Sequence, residues 1–198
     1  MEEKKVYSYS IKIQIALALV FAFCNLGFHY LNMFNPVPLY ADTLFTITAA
    51  FFGPLCGCIT AFLFHTLCTI VHSFPYTTLY WTVCSLTLVL IIRLYIKKRP
   101  VLEIFDMVFL VLISALAMSF EGACVFTIIH ITHAYTEDSQ VRLMYALLSK
   151  SLPVFFAALL PRVPVNILDK AISIPLGYFC FIGVKKIIEL FKKSRFDF

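Results

Sequence analysis

The chain has 198 residues, of which 61% are hydrophobic and 14% charged, with a net charge of +5. A soluble domain is nearer half apolar and a quarter charged, so too little polar surface remains here to cover a soluble globule. The basic residues sit in short clusters at segment ends, which argues against a nucleic-acid partner, and no hairpin-rich alternation points to a membrane β-barrel. The expectation is one all-α integral membrane domain, a six-helix bundle in the inner (cytoplasmic) membrane with both termini in the cytoplasm.

In chain order, Met1 to Lys5 and the apolar run behind them imitate a signal peptide. No small-x-small cleavage site follows, and Phe23 stands before Cys24 where a lipoprotein site wants a small residue, so 11–33 reads as a retained span. Phe34 to Leu39, with Pro36 and Pro38, is a rigid uncharged loop. The short helix predicted at 40–52 is cut by Gly53-Pro54 and covers only about 20 Å of a roughly 30 Å hydrocarbon core. Further spans are predicted at 54–73, 76–96 and 104–134, with a turn at His72 to Pro75 and a loop at Lys97 to Pro100. Thr136 to Arg142 is the most polar loop, and 143–160 is amphipathic and expected to lie on the outer side. Pro161 to Pro164 is expected to break the chain before a last span at 165–191.

Orientation follows from the basic residues. With the N-terminus inside, Lys4, Lys5, Lys12, Arg93, Lys97, Lys98, Arg99, Lys185, Lys186, Lys192, Lys193 and Arg195 are cytoplasmic. Only Arg142, Lys150, Arg162 and Lys170 fall on the outer side, a bias that obeys the positive-inside rule.

Helical spacing then gathers small and polar residues into stripes. They are Gln14, Ala18, Ala22, Asn25, His29 and Asn32 on the first helix, and Asp42, Thr46, Ala49 and Gly53 on the second. The third helix carries Gly57, Ala61, His65, Cys68 and His72, and the last carries Asn166, Asp169, Ser173 and Gly177. Small residues let helices approach, and polar ones must face protein or water rather than lipid. The polar ends all fall toward the outer leaflet, where a polar cavity is expected.

Asn25 and His65 read first as groups that hydrogen-bond a neighbouring helix. Asp42 serves either as a helix cap or as a ligand-binding carboxylate, and Asp169 with Lys170 can be an interfacial ion pair. Glu121, mid-helix in the fifth span, must be protonated, paired or lining a cavity. Glu121 and His130 lie on opposite sides of that helix and form no joint site. Trp81 reads as an interfacial anchor. The seven cysteines all lie in apolar stretches and read as small buried hydrophobes. Zincin, nucleophile-elbow and phosphate-loop motifs are absent, so no enzyme, metal or cofactor is expected. Four of the five histidines sit in spans, but a haem needs facing histidines at matched depth, which no spacing here establishes.

The run Pro38-Leu39-Tyr40-Ala41-Asp42-Thr43-Leu44-Phe45-Thr46, followed by Ala49-Ala50-Phe51-Phe52-Gly53-Pro54 and Gly57, resembles the second and third helices of S components. These are the substrate-binding subunits of energy-coupling-factor (ECF) vitamin transporters. Pro164-Val165-Asn166-Ile167-Leu168-Asp169-Lys170, with Ile172, Ile174 and Gly177, resembles the start of their last helix. Ala18-x-x-x-Ala22 is similar to the motif by which their first helix docks on the transmembrane partner. The resemblance implies a six-helix S-component bundle that binds a vitamin-like solute near the outer face. It also implies transport only with an ECF transmembrane subunit and two ATPase subunits. The expected ligand-binding residues are Asn25, His29, Asp42, Thr46, Glu121, Asn166 and Asp169, with Ala18 and Ala22 as docking residues. The single tryptophan departs from the Trp-rich cages of thiamine binders, and the cobalt and nickel members' histidine-bearing N-terminus is missing. The alternative is a small-ligand membrane receptor that signals through a separate partner.

Overall fold

The computed structural model describes residues 9–32, 43–71, 76–99, 101–132 and 149–194. Among them the chain is all-helical and has no strand. Helix α1 is Ile11–Asn32, α2 Leu44–Phe52, α3 Pro54–Val71, α4 Thr82–Lys98 (entered through a 3₁₀ segment, Tyr76–Trp81), α5 Ile104–Thr132 and α6 Val154–Ser194. All but α2 are long and apolar enough to cross a membrane, which makes five candidate spans. This is the pattern of a multi-pass membrane protein.

Cross-helix contacts fix the directions. Gln14 meets Cys56 and Ala18 meets Thr60, so α1 and α3 run the same way. His65 meets Ser85 and Gly57 faces Val89, so α4 runs against α3. Thr87 with Glu121 and Tyr95 with Asp106 set α5 against α4, and Asn166 with Ser119 and Arg162 beside Gly122 set α6 against α5. One end of the bundle therefore collects Lys12, Lys97, Lys98, Arg99, Lys185 and Lys186.

Helix α2 is the centre of the molecule. Its 9 residues are buried except Phe45, and it packs on α1, α3, α4 and α6. At about 1.5 Å per residue it is only about 14 Å long. Both of its ends therefore lie inside the bundle, where bare amides and carbonyls are costly. Other helices supply the caps. Asn25 Oδ1 accepts the Phe45 N–H at 2.9 Å, and Arg93 Nη1 donates to the carbonyls of Ala50 and Phe51 at 3.3 and 3.4 Å. A guanidinium at the helix C-terminus also opposes the macrodipole favourably. Gln14 performs the same service for α3, its Oε1 accepting from Cys56 N at 3.3 Å.

Apolar burial does little to join helices in lipid, so close packing must do it. Gly57 brings α3, and Gly177 brings α6, into close contact with α2. A Cβ on Gly57 would lie 3.2 Å from Ala50 Cα and 2.7 Å from Val89, and one on Gly177 would lie 2.6 Å from Ile47. Phe21, Ile47, Phe51, Phe52, Leu88, Ile92 and Phe181 fill the space around α2.

The last helix departs from the sequence expectation. An outer amphipathic helix at 143–160, a break at Pro161 to Pro164 and a separate span at 165–191 were expected. Instead α6 runs unbroken for 41 residues with Pro161, Pro164 and Pro175 inside it, so 154–160 is its first part; residues 143–148 lie outside the described residues. Prolines are tolerated within membrane helices when neighbours meet the freed backbone groups. Pro161 and Pro164 withhold donors from Ala157 O and Leu160 O; beside them Arg162 Nη1 donates to Ala158 O at 2.8 Å, and α5 packs along α6.

Candidate functional site: a polar layer at the head of the central helix

The first turn of α2 lies inside the bundle, and polar residues of α1, α2 and α6 converge there. Asn25, fully buried on α1, accepts from Phe45 N and donates to Thr46 Oγ1 at 2.8 Å. Both ends of that carboxamide are thus engaged by α2. Thr43 precedes the helix but makes no side-chain cap. Its hydroxyl instead accepts a 3.0 Å hydrogen bond from Lys170 Nζ on α6. Lys170 is paired with Asp169 Oδ2 at 2.5 Å, and both side chains are only 1% exposed. A charge pair so deeply placed persists because each partner neutralises the other, and removing one strands the other at a cost of about 3–5 kcal/mol.

The layer extends along α6 toward its N-terminal end. Asn166 Nδ2 donates to Ser119 Oγ on α5 at 3.0 Å. Arg162 is buried, with its guanidinium carbon 5.0 Å from the Phe126 ring and 5.8 Å from Trp81. Cation–π contact lowers the cost of that burial. A Cβ at Gly122 would lie 3.5 Å from both Arg162 and Trp81, so this glycine leaves them their room. Trp81, expected as an interfacial anchor, is therefore part of the Arg162 enclosure. On the other side of α5, Glu121 Oε1 accepts from Thr87 at 2.8 Å, while its Oε2 is buried and has no hydrogen-bond partner among the described residues. Cys84 is buried nearby, in a small cluster with Val125 and Ile129 against which Trp81 packs. His65 shares a 3.0 Å hydrogen bond with Ser85.

Asn25, Thr46 and Asp169 meet around the start of α2, with Asn166 one turn nearer the N-terminal end of α6. Glu121 belongs to the α4–α5 contact and touches none of them. His29 is half-buried and packs edge-on to Phe64, 5.8 Å away. Asp42 and His72 lie outside the described residues, as do the side chains of Asn32 and His130. Ala18 and Ala22 were the expected docking residues. Both are 0% exposed, and the Thr60 hydroxyl donates to Ala18 O at 3.4 Å. Their small side chains are used to bring α3 against α1, so they offer no outward surface.

Thr43, Lys170, Ser119, Arg162 and Trp81 join the layer without having been singled out as ligand-binding residues. Two left a signal in the sequence. Lys170 is an intramembrane cation beside Asp169, and Arg162 stands between two prolines in an apolar run. Thr43 and Ser119 left none, since a lone hydroxyl is ordinary in a membrane helix. Among the described residues no group of three His, Cys, Asp or Glu side chains could hold a metal. The chemistry offered is recognition: a charge pair, carboxamides and hydroxyls held in a dry interior, where each hydrogen bond discriminates strongly.

Fold and polar layer together define a helical, multi-pass membrane protein with a polar interior built around a short central helix. Comparison with family models, curated proteins and solved structures finds no match to this chain.

Proposed function

We propose that the protein is the membrane-embedded binding subunit for a small vitamin-like solute, which it delivers to an ATP-driven ECF module. The observation that carries this is the hydrogen bond from Lys170 to Thr43. It joins one residue from each of two runs that resemble S components, although Lys170 and Thr43 are 127 positions apart in the sequence. An apolar bundle has no packing need to bury a charge pair against the start of its central helix. A solute that must lose its water does need such groups. In this reading the basic end of the bundle is cytoplasmic, as the positive-inside rule requires, and the polar layer opens to the outer side. Partner docking then uses lipid-facing residues, since Ala18 and Ala22 are internal.

The test is mass spectrometry of small molecules that co-purify with the detergent-extracted protein, followed by ATP-dependent uptake in cells. A bound solute taken up only with ATP and a co-purifying transmembrane subunit supports the proposal. A bound solute without uptake favours a receptor, and a protein that carries and binds no solute refutes both.

A further inference from the structure

Resting on the binding-subunit reading, we propose that the solute carries a carboxylate and that this group is held at the head of α2 by Lys170 Nζ and the Ser173 hydroxyl. Ser173 is 3% exposed, yet its Oγ has no hydrogen-bond partner among the described residues. It lies on α6 three residues beyond Lys170, which reaches Thr43 Oγ1, and four before Gly177, whose Cβ position abuts Ile47 and the Leu44 carbonyl. Residues at this spacing share a helix face, so the Ser173 side chain is turned toward the first turn of α2. A buried hydroxyl without a partner is a standing cost, and an arriving acceptor removes it.

The electrostatics specify that acceptor. The N-terminus of α2 carries the positive end of its dipole, and Lys170 places an ammonium beside it, held by Asp169. Asp169 offsets the charge of that ammonium, so the net positive potential left at this buried point is small and suits an anion of low charge. Thr43 does not cap its own helix, so its hydroxyl is given over to positioning Lys170. The ammonium is already shared between Asp169 and Thr43. That suits a singly charged carboxylate, whereas a phosphate dianion calls for more positive charge.

The experiment uses the full chain purified in detergent. The co-purified solute is identified by mass spectrometry, and thermal stabilisation is measured with a panel of small carboxylates, each against its own amide, and with inorganic phosphate. The expected solute bears a carboxylate, and acids stabilise the protein where their amides and phosphate do not. Ser173→Ala is expected to leave the melting temperature of the solute-free protein unchanged or raised, because it deletes an unpartnered group, while affinity for the acid falls about tenfold. In the double variant Asp169→Asn with Lys170→Gln, which strands no charge, the preference for acid over amide should disappear. Unchanged affinity in Ser173→Ala, or a preference for acid that survives the double variant, overturns the inference. A bound solute without a carboxylate, or stabilisation by phosphate alone, overturns it and leaves the binding-subunit reading standing. If no solute is found and no probe stabilises the protein, both fall.

Discussion

Asn25 is the residue on which the centre of the bundle turns. Its carbonyl oxygen takes the Phe45 amide and its nitrogen reaches Thr46, so α1 supplies the cap that Thr43 withholds. Asn25→Ala leaves that amide unmet in the interior, where an orphaned donor costs about 1–3 kcal/mol. The expected outcome is a clear fall in melting temperature in detergent, with Asn25→Asp milder because its oxygens can still accept from Phe45 N. A melting temperature unchanged in Asn25→Ala would show that α2 does not depend on this cap. Sequence alone identifies Asn25 as an intramembrane polar group facing other helices. Its partner was not legible, because any of several hydroxyls and amides could have met it.

At the scale of the element, the short α2 exists only through its neighbours. Nine residues make a marginal helix on their own, and this one is held by Asn25, by Arg93 and by two glycines. Gly177→Ala places a methyl 2.6 Å from Ile47 and 3.3 Å from the Leu44 carbonyl. Either α6 or α2 must move, and a destabilisation of about 1–3 kcal/mol is expected. Gly183→Ala, on the same helix but with nothing within 4 Å, is the control. It should be neutral or stabilising by up to about 1 kcal/mol through helix propensity. Equal effects of the two on thermal unfolding would contradict the close approach. The stripes of small and polar residues were legible because helical periodicity alone places them on one face. The unbroken α6 was not, because local rules end a helix near Pro161 and Pro164, whereas packing against α5 carries it through.

For the whole molecule, the clustering of Lys97, Lys98, Arg99, Lys185 and Lys186 at one end sets the expected orientation. In intact cells a membrane-impermeant maleimide should label Ser151→Cys, near the start of α6, above the unsubstituted protein. It should label Lys98→Cys, at the end of α4, only after the membrane is opened. The reverse pattern would turn the bundle over and place the polar layer toward the cytoplasm.

The sequence by itself determined that this chain is a bundle of apolar helices, and which face of α1, α2, α3 and α6 turns inward. Composition and period depend only on the order of residues. Gln14, Ala18, Ala22 and Asn25 on α1, and Asn166, Asp169 and Ser173 on α6, are all buried. What only the tertiary structure decided is which inward faces meet and what each polar group then does. Ala18 and Ala22 pack α1 on α3, Arg162 sits between Trp81 and Phe126, and Lys170 reaches Thr43. Those outcomes depend on the register and direction of helices far apart in sequence, which periodicity cannot encode because it repeats every turn.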